Sequence, residues 1–354
     1  MRPSVAIVFN QVGVDEYAEI NKVDPATLDF TPTYPIHIAT VMEEYQAVRK
    51  ALAGTGCRAE LFNMADDVDK LVAWLRERRP DVVFNLVEAV RDDSGMEVAI
   101  AGLYDLLQIA YTGAPPLALG LCQRKGTTKQ LLLANGVRTP RFHQLSGPNL
   151  RRRHGLHFPM IVKPAREDAS VGVDAESVVH DQEKLHQRIA FTCEKFGPAV
   201  LVEEFIEGRE LHVAVLGNDP PVALPILEYE MSGLPGDMPH IITYAGKWDP
   251  LKEEYHRLRT ICPAKLSRVV ERRVKDAALA AYQLTQCRDY ARVDVRLSKD
   301  AKPYVLEVNP NPDLTENDSY MESAAAAGMS FGEALRKIVD MALARKTSNG
   351  ASGN

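Results

Sequence analysis

The order of apolar and polar residues predicts alternating strands and helices over the first third of the chain. Two short apolar runs, at 5–10 and 81–86, have the length and composition of buried parallel strands. Between them, apolar residues recur at helical spacing over 36–53 and 68–79. This pattern predicts an open α/β layer, whose ligands gather at the carboxyl ends of the strands. Glu88, which follows the second strand, is therefore a candidate to meet a substrate amine, although a solvated loop acid is the more ordinary interpretation.

A second pattern, at 290–309, alternates apolar and polar residues on both sides of a turn-rich segment and predicts a β-hairpin. In the simplest register one face of this hairpin is apolar, pairing Val293 with Val308, Val295 with Leu306, and Leu297 with Tyr304. The opposite face is polar and sets Asp294 opposite Glu307 and Arg292 opposite Asn309.

Two carboxylates that lie directly across a sheet repel each other, so this polar face lacks a positive charge. A hard cation such as Mg²⁺ would supply it, because Mg²⁺ binds carboxylate and amide oxygens. Asp294, Glu307 and Asn309 are therefore candidate metal ligands. A solvated polar face is the alternative, and the hairpin alone does not decide between the two.

The middle of the chain carries three lysines in positions suited to an anionic ligand. Lys125 lies on a predicted helix at 121–134, and Lys163 lies near the end of a predicted strand at 158–164. A turn of small residues follows, including Ser170, where backbone N–H groups could approach anionic oxygens. Lys247 lies in a long irregular segment, 231–256, which we interpret as a loop that orders over a bound nucleotide. A final helix is predicted at 324–344.

Composition narrows the class of protein. The chain has 354 residues, 45% of them hydrophobic and 25% charged, which indicates a globular protein of enzyme size with two or three domains. A formal net charge of −6 argues against nucleic acid as the main partner, and the basic run at 151–154 is interpreted as a solvated loop. Scattered cysteines without a Cys-x-x-Cys pair fit the reducing cytoplasm. The most apolar region, 98–121, is interrupted by polar residues and prolines, so no membrane span is expected.

Taken together, these segments resemble the ATP-grasp superfamily and, within it, the D-alanine–D-alanine ligase group. The matching stretches follow the family order over almost the whole chain and lie at 109–113, 124–125, 161–164, 170–173, 201–210, 247, 261–264, 291–294 and 306–309. The resemblance implies an α/β protein with the ATP-grasp fold. It would have three α/β domains, at 1–114, 115–207 and 208–346, and a disordered tail at 347–354. ATP would lie between the sheets of the central and C-terminal domains.

The resemblance also implies roles for individual residues. The backbone of a hinge would recognise adenine, and this hinge would consist of Glu203, Glu204, Phe205 and Ile206. Glu210 would accept hydrogen bonds from ribose hydroxyls. Lys125, Lys163 and the loop around Ser170 would contact ATP phosphates, and Lys247 would reach the γ-phosphate. Two Mg²⁺ ions, for which Mn²⁺ could substitute, would bind Asp294, Glu307 and Asn309, and Arg292 would stabilise an oxyanion.

The reaction implied by the resemblance is ATP-dependent ligation. A carboxylate would be phosphorylated to an acyl phosphate, and an amine would then displace phosphate to give an amide. The partners would be small carboxylic acids and amines, amino acids in particular. Members of the family are often dimeric, so a homodimer is compatible with the resemblance, but the sequence identifies no interface.

The sequence departs from the family at the substrate positions. Trp248 occupies the position of the lid tyrosine, and the loop that begins at Glu88 differs from the family motif. Asp313 and Asp318 lie where the family usually docks a substrate carboxylate, and like charges disfavour each other at close range. We therefore expect a carboxylate–amine ligase whose substrates are not two D-alanines. The alternatives are a D-alanine–D-alanine ligase with a diverged pocket and a non-catalytic ATP-binding regulatory module, against which the retention of Arg292 counts.

Overall fold

A computed structural model describes residues 2–13, 15–150, 154–167, 169–236 and 238–351, and of Glu16 and 346–351 it describes the backbone alone. The arginines at 151–153, in the basic run interpreted above as a loop, lie outside the described residues. Within the described part of the chain, no helix is both long enough and apolar enough to cross a membrane.

The described residues form thirteen strands and twelve α-helices. The strands are β1 Ser4–Phe9, β2 Arg58–Asn63, β3 Val82–Leu86, β4 Phe142–Ser146, β5 Met160–Pro164, β6 Val178–Val179, β7 Ala199–Glu204, β8 Gly208–Leu216, β9 Val222–Ala223, β10 Leu227–Glu230, β11 Arg259–Ile261, β12 Tyr290–Ser298 and β13 Pro303–Asn309. The helices are α1 Glu16–Ile20, α2 Val41–Gly54, α3 Val68–Arg78, α4 Glu97–Leu106, α5 Pro116–Cys122, α6 Lys125–Ala134, α7 Gln182–Phe196, α8 Tyr244–Trp248, α9 Glu253–Arg257, α10 Arg268–Leu284, α11 Ser319–Ala326 and α12 Phe331–Ala351.

The N-terminal sheet has the order β2-β1-β3, and both strand pairs are parallel. This confirms the two buried parallel strands that the apolar runs predict. Helix α2 begins later than predicted, at Val41, because the residue before it caps the helix. The backbone N–H of Glu43 donates to the Thr40 hydroxyl, and the Glu43 carboxylate accepts from the Thr40 backbone N–H.

Two antiparallel sheets follow, in the orders β4-β7-β5-β6 and β11-β10-β8-β12-β13, with β9 beside β8. Buried Met160, Val162, Leu185 and Val202 pack α7 against the first of them. Each of the three sheets lies within the residue range of one predicted domain. The domain boundaries themselves stay a prediction. The predicted helix at 121–134 is two helices, α5 and α6, and Lys125 is the first residue of the second.

The C-terminal helices differ from the single helix predicted at 324–344. The chain turns at Gly328, whose φ of +84° favours glycine, and Ser330 then caps α12 through the backbone N–H of Glu333. Helix α12 packs on the N-terminal sheet, where Ile338 and Val339 share a buried cluster with Val5. Helix α12 extends through Ala351, into the segment 347–354, for which a disordered tail stays a prediction. Residues 352–354 lie outside the described residues.

The predicted hairpin is present as β12 and β13, but its register changes in the middle. Val293 pairs with Val308, Asp294 with Glu307 and Arg292 with Asn309, as predicted. After Asp294 the register shifts by one residue, so Val295 pairs with Val305 and Leu297 with Pro303. The predicted pairs of Val295 with Leu306 and Leu297 with Tyr304 are therefore wrong. The bulge frees Leu306 from the apolar face and turns it into the cleft described below.

Candidate active site

Asp294 and Glu307, the two carboxylates of the hairpin, each have a basic partner. Asp294 is buried and accepts from Arg292 through both oxygens, at 2.7 Å from Nε and 3.0 Å from Nη2. Glu307 lies 2.8 Å from the ammonium of Lys125, at the start of α6. Burial raises the pKa of Glu307, but Lys125 and then Lys163 outweigh it, and the pKa lies well below its usual range. Arg292 and Lys125 thus supply positive charge to the polar face of the hairpin, which the sequence pattern predicted to lack it.

The candidate metal ligands lie together at the end of the hairpin. The amide of Asn309 donates to Asp294 Oδ2 at 3.0 Å, and Glu307 is the cross-strand partner of Asp294. Two carboxylates and an amide are hard oxygen donors, which fits a magnesium ion completed by water and phosphate oxygens. In the described part of the chain, no three His, Cys, Asp or Glu side chains form a metal-binding group, so an all-protein cage does not occur there.

A buried network of two lysines and one glutamate lies under the predicted hinge. The Glu203 carboxylate at the end of β7 lies 2.6 Å from the ammonium of Lys129 and 2.8 Å from that of Lys163. Lys129 also donates to the Thr139 hydroxyl at 2.8 Å and is fully buried. Burial lowers the pKa of Lys129 to about 8 although Glu203 opposes it. For Glu203 the two lysines outweigh burial and lower the pKa.

Two backbone N–H groups of the predicted hinge already donate hydrogen bonds to carbonyls within the protein. The N–H groups of Glu204 and Phe205 donate to the carbonyls of Arg141 and Pro159, each at 2.9 Å. Adenine recognition would therefore fall to the other peptide groups of the hinge. The side chain of Glu204 contacts Arg141 and His157, whose own side chains are exposed.

Glu210, predicted to meet ribose, lies on β8 and is paired with an arginine that the sequence analysis did not assign. Arg296 donates to Glu210 Oε2 and to the carbonyl of His240, both at 2.8 Å, and to the carbonyl of Ile206 at 3.1 Å. Its guanidinium carbon lies 5.2 Å from the centroid of the Phe205 ring. The alternation of β12 could have found it, because that pattern puts Arg292, Asp294 and Arg296 on one face.

These residues surround one cleft between the two antiparallel sheets. It encloses about 770 Å³ of space, a volume that includes space open to solvent. Every residue predicted for the nucleotide except Lys247 lines it, together with Asp294 and Glu307: Lys125, Lys163, Ser170, Glu203, Glu204, Phe205, Ile206 and Glu210. Ile161, Ile241, Ile242 and Leu306 add apolar walls. The apolar walls of this cleft suit a flat apolar group, and its lysines suit a chain of anionic oxygens.

Lys247 lies on α8, within the segment interpreted as a lid. Its pKa is lowered by burial and by the nearby charge of Arg292. Trp248, predicted as a substrate residue, donates from its indole N–H to the carbonyl of Ala169 at 2.8 Å. The segment also contains α9, so it is more ordered than the sequence pattern predicts. The structure therefore joins the lid to the small-residue turn around Ser170.

The remaining predicted substrate residues lie at one end of the site with their charges close together. Asp318 caps α11 and lies 3.9 Å from Arg292 Nη1. Burial and then Asp318 raise the pKa of Asp313. The side chain of Glu88 is exposed, yet desolvation by the surrounding protein and then the charge of Asp313 raise its pKa to about 7. The sequence analysis missed Glu44 of α2, whose pKa is raised to about 8 by burial and by Asp313.

Known proteins match this chain over most of its length. A family model described as "D-ala D-ala ligase C-terminus" matches residues 137–340. A D-alanine–D-alanine ligase of Desulfotalea psychrophila is 32% identical over 296 residues, which are 82% of this chain and 86% of that protein. An uncharacterized protein of Sinorhizobium fredii, y4sG, is 34% identical over 280 residues, 78% of this chain and 79% of that protein.

Solved structures share the fold. The crystal structure of the D-alanine–D-alanine ligase from Bacillus anthracis complexed with ATP has a TM-score of 0.71 at 22% identity, and the match covers 98% of this chain and 99% of that one. This likeness confirms the ATP-grasp fold that the sequence motifs imply. Together with the matches in sequence, it shows that the chain belongs to the D-alanine–D-alanine ligase family, whose members are ATP- and divalent-metal-dependent carboxylate–amine ligases.

Proposed function

We propose that this ligase activates a carboxylic acid as an acyl phosphate and joins it to an amine, and that its substrates are not two D-alanines. Amino acids or peptide-like acids are the substrate class. The observation that carries the proposal is the pair of neighbouring acids at the substrate end of the site: Asp318 lies 3.9 Å from Arg292 Nη1, and its charge raises the pKa of Asp313. The carboxylate of a second amino acid would be repelled there.

ATP would bind in the cleft between the two antiparallel sheets. Its adenine would lie against the hinge and the apolar wall that includes Leu306, and its ribose beside Glu210 and Arg296. Lys125 and Lys163, now paired with Glu307 and Glu203, lie within reach of the phosphate end.

Phosphoryl transfer requires the negative charges of ATP and the acid to be neutralised. Asp294, Glu307 and Asn309 would hold two Mg²⁺ ions, which would supply positive charge to neutralise the phosphates. Lys247 would donate to the γ-phosphate and Arg292 to the carboxylate that attacks it. The carboxylate oxygen forms a bond to the γ-phosphorus while the bond to the β-phosphate oxygen breaks, which releases ADP.

The amine then attacks the carbonyl carbon of the acyl phosphate. Arg292, buried in the hairpin, would stabilise the oxyanion that forms, phosphate leaves as the C–O bond breaks, and the amine loses a proton. No protein nucleophile is needed in this sequence of steps. The lid around Lys247 would exclude water, which otherwise hydrolyses the acyl phosphate.

The acids at the substrate end also predict which amines are accepted. Glu88, Asp313 and Asp318 would attract the ammonium of an incoming substrate and repel its carboxylate. We therefore expect an amine without a free carboxylate beside its amino group to be the better acceptor. The homodimer, the cytoplasmic location and the lack of a nucleic-acid partner stay predictions.

The test is phosphate release with Mg-ATP and pooled amino acids as donors, comparing D-alanine with D-alaninamide as the acceptor. We expect the amide to be used at least about tenfold better, which corresponds to about 1.4 kcal/mol of charge repulsion removed. The variant Asp313→Asn should reduce this preference, whereas Asp300→Asn, in the hairpin turn, should not.

Two outcomes would contradict the proposal. Full stimulation by D-alanine alone, with dipeptide as the product, would identify a D-alanine–D-alanine ligase, the activity in the name of the Desulfotalea relative. Equal use of the two acceptors would show that the acids do not face the second substrate.

A further inference from the structure

Arg296 is a buried arginine of the cleft to which the family resemblance assigns no role. It lies on β12 directly opposite Glu210 of β8, and its side chain is only 3% exposed. Both side chains line the cleft, beside Phe205 of the hinge. Arginine is seldom fully buried unless it is paired, so the partners of this guanidinium show what it is built to hold.

Three of the five N–H donors of the guanidinium have partners within the protein. Nε donates to the carbonyl of Ile206 at 3.1 Å, and Nη1 donates to Glu210 Oε2 and to the carbonyl of His240, both at 2.8 Å. Within the described part of the chain, the third nitrogen, Nη2, is buried and has no hydrogen-bond partner. An unpaired buried donor costs free energy, so we expect its acceptor to arrive with a ligand.

The contacts of Arg296 also fix its position. They come from the hinge, from β8 and from the 231–256 segment, and the guanidinium carbon lies 5.2 Å from the centroid of the Phe205 ring. A rotation of the side chain would break the hydrogen bonds to Ile206 and His240 together. The guanidinium is therefore held in place before a ligand binds, which lowers the entropic cost of binding.

Glu210 supplies an acceptor beside this donor. Its Oε2 is occupied by Arg296, and among the described residues none donates a hydrogen bond to its Oε1. A hydroxyl group can both donate and accept a hydrogen bond. Two hydroxyls on neighbouring carbons can therefore bind the pair, one donating to Glu210 Oε1 and the other accepting from Arg296 Nη2.

The sugar of a ribonucleotide carries such a pair of hydroxyls. We propose that Arg296 is a specificity-determining residue, which together with Glu210 binds the ribose diol and selects ribonucleotides over nucleotides that lack it. This inference rests on the proposed placement of ATP, with its ribose beside Glu210. A nucleotide without the hydroxyls would leave Nη2 buried and unpaired, and a site built to bind a hydroxyl rejects a ligand that lacks it for this reason.

The test compares two nucleotides by isothermal titration calorimetry in the presence of Mg²⁺. ADP carries both ribose hydroxyls and 2′,3′-dideoxyADP carries neither, and no phosphoryl transfer to an acid can occur with either one. Each hydrogen bond to a charged group contributes about tenfold or more to the affinity. We therefore expect the wild-type protein to bind ADP about 100-fold more tightly than the dideoxy analogue.

The variant Arg296→Lys keeps a positive charge opposite Glu210 but removes Nη2. The preference for ADP should fall to about tenfold, which is the contribution that Glu210 makes alone. A loss of packing would weaken the binding of both nucleotides by the same factor, so it cancels from the ratio of the two Kd values. This ratio thus separates a contact with the ribose from a structural role.

Arg209 offers a matched control because it precedes Glu210 on β8 and points to the opposite face of the strand. It is also paired with a glutamate, since its Nε and Nη2 donate to Glu228. Arg209→Lys should therefore leave the ratio of the two Kd values unchanged.

Three results would overturn the inference. The first is a wild-type preference for ADP below about threefold, which would show that neither side chain meets the ribose diol. The second is a preference that Arg296→Lys leaves at the wild-type value, and the third is an equal fall in Arg209→Lys. The binding assay needs neither acid nor amine, so it is independent of ligation. Hydroxyl-dependent binding without any amide product would remove the proposed function and leave this inference intact.

Discussion

The buried network of Lys129, Glu203 and Lys163 makes a strong prediction about stability. In Glu203→Gln the shape of the side chain is kept, but the carboxylate that neutralises two ammonium groups is removed. Lys129 is fully buried, so its charge is left without compensation. Breaking a buried ion pair from one side costs about 3–5 kcal/mol, and we expect a loss of this size in the free energy of unfolding.

Urea denaturation followed by circular dichroism measures this loss, and the adjacent residue supplies the control. Glu204→Gln removes a carboxylate whose partners, Arg141 and His157, have side chains 58% and 79% exposed. Exposed pairs of this kind contribute about 0–1 kcal/mol. Equal losses for the two variants would refute the conclusion that the buried carboxylate neutralises the lysines.

A double-mutant cycle separates the network from a general packing effect. Lys129→Met in the Glu203→Gln background removes the uncompensated charge and should recover part of the stability. The two losses should therefore sum to at least about 1 kcal/mol more than the loss in the double variant. Additive losses would show that Lys129 and Glu203 act independently, contrary to their 2.6 Å contact.

Two further predictions concern charge in the active site. The pKa of Glu44 is raised from 4.5 to about 8 in the folded protein, so between these pH values the folded state binds more protons than the unfolded state. The contribution of Glu44 to stability is therefore full below pH 4.5 and is lost as the pH rises to 8. Glu44→Gln should therefore become more stable than the wild type by about 1–2 kcal/mol at pH 8, after allowance for solvent access, and thermal melts that show no such crossover would contradict the assignment. Asp294→Asn keeps a hydrogen-bond partner for Arg292 but removes one negative charge from the proposed metal ligands. Turnover at saturating Mg²⁺ should therefore fall by about 10²–10³-fold. Unchanged turnover would exclude Asp294 as a ligand.

The hairpin shows how far the sequence predicts the structure and where it stops. Alternation of apolar and polar residues predicts both strands, the polar face and the pairs near Asp294, because these depend on local periodicity. The bulge at Leu306 depends on a distant contact instead, since the backbone N–H of Val305 donates to the carbonyl of Arg138 at 2.8 Å. No local pattern contains that contact.

The same distinction explains which site residues were missed. The family motifs identify Lys163 and Glu203 because each lies in a recognisable strand. Lys129 lies one helical turn after Lys125 and looks like any amphipathic position until the fold brings Glu203 against it. Arg296 and Glu44 likewise acquire their importance from partners on other elements, Glu210 in one case and Asp313 in the other.

The paired charges of the hairpin also change the interpretation of its polar face. Asp294 and Glu307 are balanced by Arg292 and Lys125, so the four side chains are neutral as a group. A bound cation would compensate the two carboxylates, and the two basic groups could then turn toward phosphate and substrate oxygens without leaving an uncompensated buried charge. The four charges therefore compensate one another before the nucleotide binds, and the same four side chains are the ones that the reaction would use.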